Sequence, residues 1–300
     1  MSGFLDALEK KVLLFDGGMG SMLIAAGLGE GEAPDEWSLR RPDVLADIHT
    51  RYLEAGADVI QTNTFGATPI KLAASCRGGA PDTERLNIRA AEVARKALDD
   101  FIVGGRFLAG DIGPTGEFFP PMGLLTPDRA REAFREQAAA LEKGGVDIFL
   151  IETMYDIREA VEAVRAVREV SDRPVVCELT MDRKKKGYFT IMGDSPVKAA
   201  ETLAAEGAAV IGANCSLTSG EMIDLAVEMR ALTDVPLLFQ PNAGMPELTG
   251  GHAVYRQDPE EFAEDLMKMV EAGANAVGGC CGTTPDFIRA VRRRLDGMKS

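Results

Sequence analysis

The sequence is poor in histidine, in tryptophan and in positive charge. Among 300 residues only His49 and His252 are histidines, which excludes a histidine-rich metal site and leaves two candidates for the base of any Ser-His-Asp triad. Lys and Arg total 33 against 47 Asp and Glu, a formal charge of −14, so a nucleic-acid backbone or an anionic membrane surface would be repelled. No apolar run approaches the roughly 18 residues of a membrane span, and the start from Met1 to Lys11 carries charges where an export signal is apolar. The expectation is a soluble, cytoplasmic protein that acts on a small molecule. Five cysteines are present, Cys76, Cys177, Cys215, Cys280 and Cys281; an odd number in such a chain argues for buried thiols or metal ligands over a disulfide framework.

What is abundant is apolar residue, 46% of the chain, arranged in a repeated phrase. Leu53-Glu54-Ala55-Gly56-Ala57-Asp58-Val59-Ile60 recurs in altered form at 141–148, 203–210 and 270–277. Each copy reads as a helix end, a left-handed glycine and a step into a buried strand. Strand entries at Val12-Leu13-Leu14-Phe15, Arg106-Phe107-Leu108-Ala109, Pro174-Val175-Val176-Cys177 and Pro236-Leu237-Leu238-Phe239 bring the count to eight. Helices between them open on a capping residue followed by proline, at Thr126-Pro127, Ser195-Pro196, Asp258-Pro259 (with a capping box to Glu261) and Thr284-Pro285. Eight β-then-α units without a linker predict a single α/β domain over 1–300, a (β/α)8 TIM barrel, with a doubly wound open sheet as the alternative.

In such a barrel the chemistry collects where strands end. The residues there are polar: Asp16, Gln61, Asp111, Glu152, Glu178, Asn214, Gln240 and the glycine-rich Gly278-Gly279-Cys280-Cys281-Gly282. Cys215 ends the sixth strand and Cys280-Cys281 the eighth, 65 and 66 residues later. Three thiolates suit zinc and leave a fourth tetrahedral position open. Neighbours on a regular strand point to opposite faces, so both sulfurs can serve one ion only if the flanking glycines break the pleat. The other reading is that Cys280 and Cys281 alternate between the barrel interior and the helix layer as small apolar residues. Cys76 is expected in a surface turn over 74–79 and Cys177 inside a strand. His49 and His252 are expected at the surface, and Lys184-Lys185-Lys186 in a solvated loop.

Asp16-Gly17-Gly18-Met19-Gly20, Thr62-Asn63-Thr64-Phe65, Asn214-Cys215-Ser216, Pro241-Asn242-Ala243-Gly244 and Gly278-Gly279-Cys280-Cys281-Gly282-Thr283-Thr284-Pro285 together resemble the homocysteine S-methyltransferase family, in order and from about Val12 to Leu295. Within it, Gly110-Asp111-Ile112-Gly113-Pro114-Thr115-Gly116 and the stretch from Gln240 are most similar to the N-terminal homocysteine-binding module of cobalamin-dependent methionine synthase. The resemblance implies a zinc-bearing barrel with Cys215, Cys280 and Cys281 as ligands, and Asn242 as an oxygen donor to the fourth position before substrate arrives. It places Asp16 and Glu152 near the substrate ammonium, with the amides around Gly17 and Thr153 near its carboxylate. L-homocysteine would bind as a thiolate and leave as L-methionine.

The resemblance implies methylcobalamin as donor, carried on a corrinoid-binding module or another chain. The chain has no corrinoid stretch of its own: Asp47-Ile48-His49 comes nearest to Asp-x-His-x-x-Gly, and Tyr52 stands where glycine is needed. Neither is there room after the eighth helix for a folate module, so the chain is expected to be either a piece of a longer enzyme or a protein supplied from outside. The alternatives are a small donor such as S-methylmethionine or betaine, a homocysteine- or zinc-binding protein without turnover, and a metal-free barrel enzyme using Asp16, Asp111 and Glu152.

Overall fold

The computed structural model describes residues 3–76, 79, 81–101, 104–249 and 252–298. Eight parallel strands form one sheet: β1 (Leu13–Leu14), β2 (Val59–Gln61), β3 (Phe107–Ile112), β4 (Ile148–Met154), β5 (Val175–Leu179), β6 (Val210–Thr218), β7 (Leu237–Asn242) and β8 (Ala276–Val277). Their order is β1-β8-β7-β6-β5-β4-β3-β2, and a parallel bridge from Phe15 to Val59 joins the two ends into a (β/α)8 TIM barrel. The barrel helices are α1 (Pro42–Ala55), α2 (Thr83–Asp100), α3 (Pro127–Lys143), α4 (Ile157–Val170), α5 (Pro196–Ala205), α6 (Ser219–Leu232), α7 (Pro259–Glu271) and α8 (Pro285–Gly297). Among the described residues, no helix is long and apolar enough to cross a membrane.

The four repeated junctions carry the expected left-handed glycines, with φ of 103° at Gly56, 80° at Gly145, 97° at Gly207 and 106° at Gly273. Thr126, Ser195 and Asp258 cap their helices as read; Thr284 makes no side-chain cap bond. The reciprocal capping box is found at Thr218 and Glu221, at the start of α6. Two short hairpins, 182–184 with 187–189 and 247–249 with 252–254, interrupt the loops after β5 and β7. Lys184-Lys185-Lys186 falls at the turn of the first, exposed as expected.

Side chains at every second strand position point into the barrel. Leu13, Phe15, Val59, Ala109, Ile148, Leu150, Val176, Val210, Leu238 and Ala276 form one apolar cluster there, and the helix Gly3–Leu8 closes its lower end with Phe4. Phe4 meets Phe15 and Phe107 edge to face at 6.5 and 5.5 Å; burying its ring contributes about 2 to 3 kcal/mol. At the same end Asp58 accepts bonds from Lys11 Nζ (2.6 Å), Arg292 Nη2 (2.6 Å) and the Leu14 amide (2.9 Å). Burial opposes its ionisation, but Arg292 and Lys11 outweigh burial and hold the carboxyl below its usual range. The larger core lies between strands and helices.

Two surface expectations are corrected. His49 is fully buried on α1, and neither ring nitrogen has a partner among the described residues. Burial alone pushes its imidazole down to about 4, so it is a neutral core residue. Cys76 is buried at the end of the helix Pro69–Ser75, where it packs with Ala33, Ala67, Leu72 and Leu86. Arg77 and Gly78 of the expected turn, and the His252 side chain, lie outside what is described. Cys177 sits inside β5 as read, buried, with its thiol pushed up by desolvation.

Candidate active site

One step above the apolar interior, the same alternation places Gln61, Asp111, Glu152, Glu178, Asn214 and Gln240, one from each of β2 to β7. All are buried. The lower barrel is thus oil and the upper barrel carboxyl and amide, which fits a floor for a polar substrate. Burial drives the Asp111 and Glu178 carboxyls upward, and neighbouring carboxylates, Glu152 first, push them further.

Above that layer two strands leave the pleat. The register of β4 shifts between Ile151 and Met154, and that of β6 between Asn214 and Thr218. Thr153 and Cys215 both have φ of 58° and Ser216 has 41°, left-handed values that cost a residue with a side chain about 1 to 2 kcal/mol. The distortion is held from outside the strand: Ser216 Oγ donates to Met181 O at 2.8 Å and Thr180 Oγ1 to Asn214 O at 3.0 Å. Asn214 ties the two bulges together. Its Oδ1 accepts the Thr153 amide at 2.9 Å, and its Nδ2 reaches Glu152 Oε2 at 2.7 Å and Thr153 Oγ1 at 2.8 Å. The bulge turns the Cys215 thiol toward the barrel axis.

The double cysteine leaves β8 in a turn pinned on both sides. Gly279 N bonds Asp16 O at 3.0 Å, Cys280 N bonds Pro241 O at 2.9 Å, and Cys281 N bonds Asn242 Oδ1 at 3.1 Å. Thr283 Oγ1 donates to Cys280 O at 2.6 Å and accepts from Gly18 N at 3.0 Å. Gly282 turns the chain at φ of 81°, and a Cβ there would stand 2.2 Å from the Tyr255 ring. The consequence is that consecutive cysteines face one point: the sulfurs of Cys215, Cys280 and Cys281 all lie within 4.8 Å of one another.

Three thiols so close do not ionise independently. Cys215 is driven down to about 3, chiefly because Cys280 and Cys281 donate hydrogen bonds to its sulfur. Donating those hydrogen bonds to Cys215 holds the protons on the other two, with Cys281 pushed up to about 11 and Cys280 higher still, and burial and the neighbouring charge add to this. A divalent cation among them would favour all three thiolates. Three soft sulfurs this close are the donor type that zinc takes, and they would leave a fourth position open for substrate. The donor set therefore fits zinc.

The cluster lies on the wall of a cavity of about 410 Å³ at the C-terminal mouth of the barrel. Of the residues expected to bind substrate, Gly17, Glu152 and Thr153 line it. Asp16 is buried beside them; its Oδ2 accepts the Gln61 amide at 3.0 Å and its Oδ1 has no partner among the described residues. Desolvation pushes Asp16 up; desolvation, then the neighbouring Cys215, raises Glu152 to about 8. The Thr153 amide is already taken by Asn214, and the Asn242 side-chain oxygen by Cys281. Asn214 as the link between bulges, and Tyr255 in hydrogen-bond reach of Cys281, were not singled out from the sequence. The interior register of Asn214 was the available signal.

The sequence model of homocysteine S-methyltransferases matches residues 13–295. Among solved structures, the metallated form of the homocysteine methyltransferase MmuM from Escherichia coli is 25% identical, with a TM-score of 0.81 over 97% of this chain and 99% of that one. A methyltransferase from Methanosarcina mazei, 13% identical with a TM-score of 0.62 over 99% of this chain and 98% of that one, shares the fold. With the family match spanning almost the whole barrel and the three cysteines gathered at its mouth, the chain is an enzyme of the homocysteine S-methyltransferase family.

Proposed function

We propose that the protein transfers a methyl group to the thiolate of L-homocysteine, held at zinc by Cys215, Cys280 and Cys281, to give L-methionine. The observation that carries this reading is the convergence of three sulfurs on the wall of the mouth cavity. A thiol of pKa about 8.5 is mostly protonated at neutral pH, and the metal supplies its thiolate form there. This chain's residues do the rest. Asp16 and Glu152 take the substrate ammonium, and the Gly17 amide takes its carboxylate, the amides of Asp16 and Gly18 on either side being bonded to Val59 and Thr283. Thr153, fixed by Asn214, shapes the wall between Glu152 and Cys215. Free thiols at an open rim suit a reducing compartment, and cytoplasmic location is part of the proposal.

Two donors are in play. Methylcobalamin on a corrinoid module or partner draws no support from the solved relatives; what favours it is the set of exposed apolar side chains on the rim loops, Met122, Leu124, Ile191 and Met245. A small methylated donor, S-methylmethionine or betaine, is favoured by a cavity that runs on from the cysteines to Asp35 and Lys71 and is roomier than one four-carbon amino acid needs. The small donor is the reading adopted. Zinc-loaded protein is expected to form methionine from homocysteine and S-methylmethionine, and to stop when a chelator removes the metal. Methionine formation that survives complete metal removal would overturn the proposal.

A further inference from the structure

The cavity has a second arm, and its chemistry is unlike that around the cysteines. Its wall is built by the loops after β1 and β2, which contribute Pro34, Asp35, Phe65 and Lys71; β2 lies across the barrel from β6, which bears Cys215. Lys71 is half-buried and, among the described residues, its ammonium has neither a hydrogen bond nor a carboxylate within ion-pair distance. Lys10, Lys185 and Lys186 also lack such partners among the described residues, but they are exposed, whereas Lys71 is half-buried on the cavity wall. Its location also opposes a cation. Lys71 is the third residue of the helix Pro69–Ser75, at the end where the helix dipole is positive. The side chain lies over Gly116, where an added Cβ would stand 3.0 Å from Nζ.

Asp35 faces the same arm. It is buried, its Oδ1 accepts the Gly66 amide at 2.8 Å, and burial drives it up to about 6. An arriving ammonium would favour its carboxylate form. Phe65, 37% exposed, adds apolar surface with Met19 and Pro34 to a wall that Asn63 and Ser75 also line. An aromatic face next to apolar surface suits a soft, weakly hydrated sulfonium.

We propose that this arm is the methyl-donor subsite, in which Lys71 receives the donor carboxylate and Asp35 its ammonium, so that the pair selects a zwitterionic methyl sulfonium amino acid. The inference rests on the methyltransferase reading above. In the step itself the homocysteine sulfur forms a bond to the donor methyl carbon while the methyl–sulfonium bond breaks. The electron pair of that bond stays on the donor sulfur, which leaves as a neutral thioether. The thiol proton of homocysteine passes to solvent when the thiolate binds. Two molecules of methionine result when the donor is S-methylmethionine, and no further reactant is required.

The test compares Lys71→Gln and Lys71→Arg with the wild-type holoenzyme, using S-methylmethionine and a dimethylalkylsulfonium that has neither carboxylate nor amine. Lys71→Gln is expected to raise the KM for S-methylmethionine about tenfold or more, with the KM for homocysteine within about twofold, while Lys71→Arg recovers most of the loss. With the truncated sulfonium, Lys71→Gln and wild type are expected to match. An unchanged donor KM, an equal rise with the truncated donor, or a rise confined to homocysteine would overturn the assignment. Turnover with methylcobalamin but with no sulfonium would overturn it too while leaving the homocysteine reading intact. Absence of homocysteine binding would instead overturn the methyltransferase reading itself.

Discussion

Replacing Cys281 by serine is expected to lower kcat/KM by about a thousandfold or more and to leave the purified protein with well under one zinc per chain. The argument is one of softness and charge. A serine hydroxyl stays protonated where a cysteine becomes a thiolate, so the site keeps two strong donors and loses one negative charge. Homocysteine then meets a weakly held metal or none, and its sulfur remains a thiol. The fold is expected to survive. Cys281 is half-exposed at the cavity, its amide bond to Asn242 is made by backbone, and serine preserves both. Metal analysis and methionine formation check this, with circular dichroism as the folding control. Full zinc and full rate in Cys281→Ser would remove the third sulfur from the mechanism.

A second large effect is expected far from the metal. Gly212→Ala places a Cβ 1.8 Å from the Leu238 carbonyl oxygen and 3.3 Å from Glu178 Oε1. Gly212 is paired with Leu238 between β6 and β7, so the clash is with backbone and no rotamer relieves it. The strands must separate. The cost is about 3 kcal/mol or more, a fall in melting temperature on the order of 5 to 10 °C. Gly297→Ala is the control, since nothing lies within 4 Å of its added Cβ and the change is expected to be neutral. Thermal unfolding monitored by circular dichroism compares the two. Equal melting temperatures would show that β6 and β7 do not approach as described.

The barrel was legible in the sequence because its junctions repeat. A helix end, a left-handed glycine and a buried strand recur four times, and the physical demand behind each is local. The cysteine cluster was legible for a different reason: three thiols end two strands, and glycines surround the adjacent pair. What stayed hidden is tertiary. The left-handed turns at Thr153 and Cys215 break the two-residue period that strand reading assumes, and Asn214, which holds them, looks in sequence like one more rim amide. His49 was misplaced although α1 carried the signal. It lies four residues after Leu45 and three before Tyr52, both fully buried, and so on the core-facing stripe. Lys71 gave no signal, because an unpaired cation is recognised only once the space around it is known.

The central claim is that homocysteine sulfur becomes the fourth ligand of a metal held by three cysteines. X-ray absorption at the zinc edge, recorded on the holoenzyme before and after L-homocysteine is added, reads this directly. The account predicts three sulfurs and one lighter atom at first, and four sulfurs at about 2.3 Å once substrate is bound. An unchanged count of three in protein that binds homocysteine and forms methionine would contradict it.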